Sequence, residues 1–155
     1  VNYETPLRQY FREADPRIQA QHLLTHTAGL LAYEEFFRKA PPEVGAARRW
    51  MRERVLALKP EVEPGTRTVY SDPSFLLLGF LIEEVTQRSL SDAMSDFVLR
   101  PMGLGDMGYG RSPGTAASTE KCAWRGRVMN GEVHDENAWT MGGVAGHAGL
   151  FGRAK

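Results

Sequence analysis

The sequence predicts an α+β fold that is mainly α-helical, a single domain with a helical part at 1–102 and a glycine-rich, irregular part at 103–155. Three observations carry this. Residues 43–58 place Ala47, Trp50, Met51, Val55 and Leu58 on one helical face, with Arg48, Arg49, Arg52 and Glu53 largely off it. Residues 73–87 hold Phe75 to Ile82, eight residues without a polar side chain. Glycine is unevenly spread, four in positions 1–102 and twelve in 103–155, and at that density it punctuates turns.

Taken in order, residues 4–13 form a short amphipathic helix candidate, with Leu7, Tyr10 and Phe11 at i, i+3 and i+4. Residues 19–28 form a second, with Leu23 and Leu24 as its apolar patch and Gly29 as its C-cap. The clear helix at 43–58 follows. Pro60 and Pro64-Gly65 then break the chain, the latter a type II turn signal. For 73–87, Asp72 suits the N-cap and Pro73 the first turn, and the apolar residues run almost all round, so the helix is expected to be buried. A further helix at 91–99 opens on Ser91-Asp92 and stops before Pro101 and Gly103. Beyond it, Cys122 to Val133 is the best hairpin candidate, turning at Asn130-Gly131.

Composition removes several classes of function. The 155 residues are 42% hydrophobic and 25% charged, with 19 Lys+Arg against 19 Asp+Glu. A chain so balanced lacks the basic excess that marks a nucleic-acid or anionic-membrane partner. The apolar run at 75–82 is far short of the ~20 residues that span a bilayer, so no transmembrane segment is expected. One cysteine, Cys122, excludes an internal disulfide and any CxxC motif. No charged n-region with an apolar stretch follows Val1, and Gly149 to Lys155 read as an element about to begin, so a piece of a longer protein is expected.

Several motifs stand in one order along the chain. Residues 21–30 read QHLLTHTAGL, Pro64-Gly65 leads into Tyr70-Ser71-Asp72, and Leu78-Gly79 and Pro101-Met102-Gly103-Leu104 follow. Residues 132–138 read EVHDENA and 142–151 GGVAGHAGLF. Together these resemble the serine β-lactamase and penicillin-binding protein superfamily, in the branch of class C β-lactamases and related esterases. The resemblance covers nearly the whole chain. It implies the helical-cluster portion of the β-lactamase/transpeptidase-like fold, an incomplete share of it.

By that resemblance Tyr70 takes the place of the tyrosine that helps deprotonate the nucleophile or the attacking water. Such a role needs a phenol near a lysine ammonium; the competing reading is an aromatic packed before a helix. Asp72 stands where the family has asparagine. An ionised carboxylate only accepts hydrogen bonds; it favours a charged lysine partner and repels the carboxylate borne by β-lactams, which leans toward an ester or amide substrate. The competing reading, a helix cap ahead of Pro73, stays open. Ser71 is expected to be a structural or hydrogen-bonding residue.

Ser118 and Lys121 form a literal S-x-x-K, the spacing that sets an amine one helical turn from a hydroxyl. In the family this motif precedes the tyrosine motif and heads a long apolar helix, whereas here it follows Tyr70 and runs into Cys122-Ala123-Trp124; it ranks low as a nucleophile. His147-Ala148-Gly149 mimics the third family motif and is read as structural. His22 and His26 stand at i, i+4, with His134, Asp135 and Glu136 as further ligand types, but no glutamate completes H-E-x-x-H. These histidines are expected to bond backbone instead. No metal and no cofactor is expected.

The expected function is a segment of a serine hydrolase that works through an acyl-enzyme. The chain carries the tyrosine motif without the nucleophile S-x-x-K helix or the third motif, so it is expected to be inactive alone. The partner implied for the full-length protein is an acyl substrate: a β-lactam, a cell-wall peptide or an ester. The alternative is an autonomous helical binding or association module, self-associating through apolar surface on the 73–87 helix. The compartment stays open between the bacterial envelope or periplasm and the cytoplasm.

Overall fold

A computed structural model describes residues 2–110 and 116–153. Five α-helices, α1 (Ala20–Leu24), α2 (Val44–Leu56), α3 (Asp72–Thr86), α4 (Leu90–Met94) and α5 (Glu136–Thr140), surround one core, and α4 continues as a π-helical turn over Ser95–Leu99. Four short strands complete the described residues: β1 (Gly108–Tyr109) pairs antiparallel with β4 (Leu150–Phe151), and β2 (Ser118–Cys122) with β3 (Arg127–Asn130). Helix α3 packs against α1, α2 and α4. The core joins Leu23 of α1, Met51 and Val55 of α2, Leu76, Leu77 and Phe80 of α3, and Leu7, Phe11 and Ile18 from the start of the chain. Burying each of these side chains stabilises the fold by about 1.5–3 kcal/mol.

The first two helices are shorter than their periodicity predicts. Residues 4–13 form only a 3₁₀ turn at Leu7–Gln9, because the Leu7 N–H donates across the chain to Ile18 O at 2.8 Å and Pro6 bridges Gln19. Helix α1 stops at Leu24, not Thr27 or Ala28: His26 adopts a left-handed φ of 55° and the Thr27 N–H closes onto His22 O. Gly29 therefore caps nothing. It permits close packing, since a Cβ there would lie 2.3 Å from Val62 O.

Helix α2 follows its prediction closely, with Glu43 as N-cap accepting from Gly45 N and Ala46 N. Helix α3 begins one residue early. Its cap is Ser71, whose Oγ accepts from Ser74 N and donates to Leu31 O, so Asp72 is freed from the capping role. Burial of α3 is one-sided rather than all round: Ile82 and Val85 are 40% and 42% exposed, because no element among the described residues covers that face. Helix α4 is capped by Ser89 instead of Ser91, its Oγ accepting from Asp92 N.

The hairpin expected over Cys122 to Val133 with its turn at Asn130-Gly131 does not form; instead β2 and β3 pair over 118–130. Residues 123–126 reverse the chain, closed by the Gly126 N–H on Cys122 O, and Gly126 supplies the positive φ of 69°. Asn130 instead ends β3 opposite Ser118, with its amide donating to Ala116 O and Ser118 Oγ. The 3₁₀ turn at Phe36–Arg38 and helix α5 have no counterpart in the sequence reading. The buried Asn137 ties them together, accepting from Phe37 N and donating to Glu34 O, both at 2.9 Å. No helix among the described residues is long and apolar enough to cross a membrane.

Candidate active site

The tyrosine motif is fixed before α3 begins. Val69 N donates to His26 O, Ser71 N to His26 Nδ1 at 3.0 Å, and Asp72 N to Ala32 O. His26 accepts at Nδ1, so its ring is held in the tautomer with the proton on Nε2. That ring stacks on Phe75 (centroids 4.7 Å apart, 21° between planes) and meets Tyr70 at 4.5 Å. Tyr70 is consequently pinned at the rim of α3, 71% exposed. The ring thus packs on His26 while the side chain stays exposed at the start of the helix.

Asp72 sits just inside, half-buried, and accepts no hydrogen bond among the described residues. Burial raises it above the ordinary carboxyl range; the neighbouring Asp135 charge adds to this, and His147 and His26 partly oppose it. Asp135 caps α5 through Ala138 N and meets His147 Nε2 at 3.0 Å. Burial works against its ionisation too. The His147 hydrogen bond and charge, the Ala138 N–H and the Arg125 charge outweigh that and hold Asp135 below the usual range. At the edge of the site Tyr33 is pushed up to about 12, by burial first and then by the charges of Asp135, Glu136, Glu35 and Asp72.

Backbone packing explains how His147 reaches the start of α3. The glycine-rich loop lies directly on the helix: a Cβ on Gly146 would stand 2.0 Å from Phe75 O and 3.0 Å from Gly79 N. Tyr109 of β1 donates its hydroxyl to Ala145 O, and β4 ties the loop's far end to β1. The His147 side chain is 5% exposed. One atom each from Asp72, Asp135 and His147 lies within 4.8 Å of the other two.

The other candidate residues lie apart. Ser118 and Lys121 are exposed on strand β2, not on a helix, and an extended chain sets positions three apart about 10 Å from one another. His22 Nδ1 accepts from Gln19 N, closing the α1 capping box. His134 contacts Thr119 and Glu120, and Glu136 accepts from the Cys122 thiol. The histidine–acid set read from sequence does not assemble: only Asp135 joins the cluster, and its partners are Asp72 and His147. A concavity of about 650 Å³ lined by Phe37, Trp124 and Trp139 includes none of these cluster residues.

A family model described as beta-lactamase matches residues 1–155. A protein of Salmonella paratyphi B named "Putative D-alanyl-D-alanine carboxypeptidase" is 32% identical over 148 residues, covering 83% of this chain and 34% of its own. The chain thus spans about a third of the length of the curated relatives it matches. Among solved structures, the penicillin-binding protein from Bacillus halodurans superposes with a TM-score of 0.69 at 19% identity, over 97% of this chain and 48% of that one. FmtA from Staphylococcus aureus superposes with a TM-score of 0.65 at 18% identity, over 97% and 41%. On the fold, the ordered motifs and the match along its whole length, the chain belongs to the beta-lactamase family, within the serine β-lactamase and penicillin-binding protein superfamily.

Proposed function

We propose that the full-length protein is a serine hydrolase acting by acyl transfer on a cell-wall-type peptide or an ester, with Tyr70 as its proton carrier. The observation that carries this reading is the placement of Tyr70, held against His26 and exposed at the start of α3 beside the half-buried Asp72. The catalytic serine and its lysine lie outside these 155 residues, since no serine precedes Ser71 and the one S-x-x-K is extended and exposed. In the acylation step the serine oxygen bonds to the acyl carbon, and its proton passes through the Tyr70 oxygen to the departing amine or alcohol. Water then repeats the sequence to release the acid.

Asp72 adds selectivity. Burial holds its carboxyl above the ordinary range, with the Asp135 charge adding to this and the His147 and His26 charges opposing it, at the position where the family has asparagine. Once ionised it repels a substrate carboxylate, which disfavours β-lactams. The relatives named as carboxypeptidases point to peptide substrates, whose terminal carboxylate meets the same repulsion; the peptide reading therefore rests on those relatives and the ester reading on Asp72.

The test is intact mass after incubation with a serine-reactive fluorophosphonate and, separately, with a penicillin. The full-length protein is expected to gain a single fluorophosphonate adduct on a serine outside these residues, and the isolated 155-residue chain none. An adduct mapped to Ser71 or Ser118 overturns the reading.

A further inference from the structure

Tyr70 is 71% exposed; among the described residues its one aromatic neighbour is His26, and its hydroxyl makes no hydrogen bond. An exposed side chain left to itself exchanges rotamers in picoseconds to nanoseconds, whereas proton transfer needs the phenol oxygen held within hydrogen-bond reach of its partner. What fixes Tyr70 comes from His26. Val69 N donates to His26 O at 2.9 Å and Ser71 N to His26 Nδ1 at 3.0 Å, so the residues on either side of Tyr70 are tied to one histidine. The imidazole itself lies between two rings, 4.7 Å from Phe75 and 4.5 Å from Tyr70, with 33° between the planes of His26 and Tyr70.

We propose that His26 is the positioning residue of Tyr70, bracketing its backbone and seating its ring so that the phenol oxygen is held in one place. The inference rests on the acyl-transfer reading, which supplies the proton that Tyr70 moves. Position 26 makes three demands at once: a left-handed φ of 55°, an acceptor for Ser71 N, and a flat ring for Tyr70 and Phe75. Asparagine, aspartate and histidine are the non-glycine residues enriched in left-handed backbone, and the first two have no ring. Phenylalanine has a ring without an acceptor, tryptophan's indole only donates, and tyrosine's oxygen sits at the far end of its ring. Neutral imidazole alone joins a ring to an acceptor next to its point of attachment. Ending α1 does not need that ring, because the Thr27 N–H already closes onto His22 O at 2.8 Å.

Two variants separate the ring from the acceptor. His26→Asn tolerates the left-handed backbone and keeps an amide oxygen near the place of Nδ1, but has no ring. His26→Phe keeps the ring and leaves the Ser71 N–H unpartnered. The experiment measures acylation of the full-length protein by p-nitrophenyl acetate for both variants, for Tyr70→Phe and for the double variant His26→Asn/Tyr70→Phe, with melting temperatures alongside. His26→Asn is expected to acylate about 10–100-fold more slowly than the parent, since misplacing a reacting group by about 1 Å costs about 10²-fold. His26→Phe is expected to acylate faster than His26→Asn yet to melt lower, an inversion that a merely structural histidine does not produce. With the hydroxyl already gone in Tyr70→Phe, adding His26→Asn is expected to change the rate by no more than about twofold. A His26→Asn rate within a few-fold of the parent overturns the proposal, as does the same loss in both backgrounds or a His26→Phe protein no faster than His26→Asn. Tyr70→Phe acylating at the parent's rate overturns the proton-carrier reading of Tyr70, and this inference with it.

Discussion

His147 Nε2 lies 3.0 Å from Oδ1 of Asp135, and the same oxygen accepts the Ala138 N–H that opens α5. One carboxylate thus joins the glycine-rich loop to a helix start, beside the first residue of α3. Breaking this junction affects both elements. Asp135→Ala removes the cap and leaves the buried imidazole unpaired, and about 2–4 kcal/mol of stability is expected to be lost at pH 7. Urea denaturation midpoints at pH 7 check this, with Asp135→Asn as the milder comparison.

The two carboxyl groups titrate with opposite sign. Asp135 is held below its unfolded value, so its contribution is present above that value, about 3.9, and is lost as pH falls further. Asp72 is held above its unfolded value, so the fold is favoured while that carboxyl is protonated and penalised as pH rises through its folded value. Asp72→Asn is therefore expected to match the parent near pH 3 and to exceed it in stability at pH 7. Thermal unfolding of both proteins across that range reads the difference; an Asp72→Asn protein less stable than the parent at pH 7 contradicts the assignment.

Ser71 and Ser74 predict contrasting outcomes one helical turn apart. Ser71 Oγ caps α3 and bonds Leu31 O, so Ser71→Ala is expected to cost about 1–2 kcal/mol. Ser74 Oγ is fully buried without a partner among the described residues, so Ser74→Ala is expected to be neutral or stabilising. Parallel denaturant melts compare them directly.

Gly146→Ala is expected to destabilise by about 1–3 kcal/mol, because its Cβ would overlap Phe75 O at 2.0 Å and lift the His147 loop from α3. Gly105, where a Cβ meets nothing within 4 Å, is the control: Gly105→Ala is expected to leave the melting temperature unchanged.

What the sequence made legible follows from the range of each interaction. Helices α2 and α3 were readable because their period of apolar residues lies within one element. The shortened 19–28 helix was not, because its end depends on His26 turning left-handed to meet Val69 and Ser71 from a distant segment. The hairpin turn slipped to 123–126 for a related reason: Asn130 is engaged across the sheet with Ser118 and Ala116 rather than in its own turn. Tyr70 and Asp72 were visible through an ordered motif. The partners of Asp72 were not, because nothing in the spacing of Asp135 and His147 records that Gly146 lets their loop rest on the α3 backbone.

The role given to Tyr70 is tested most directly by the acylation rate of the full-length Tyr70→Phe protein with an activated ester, compared with its parent. Phenylalanine keeps the ring against His26 and removes only the hydroxyl. A fall of about 10²–10⁴-fold in that rate, with the fold unchanged, is the predicted result for a lost proton carrier; a rate within a few-fold of the parent contradicts it.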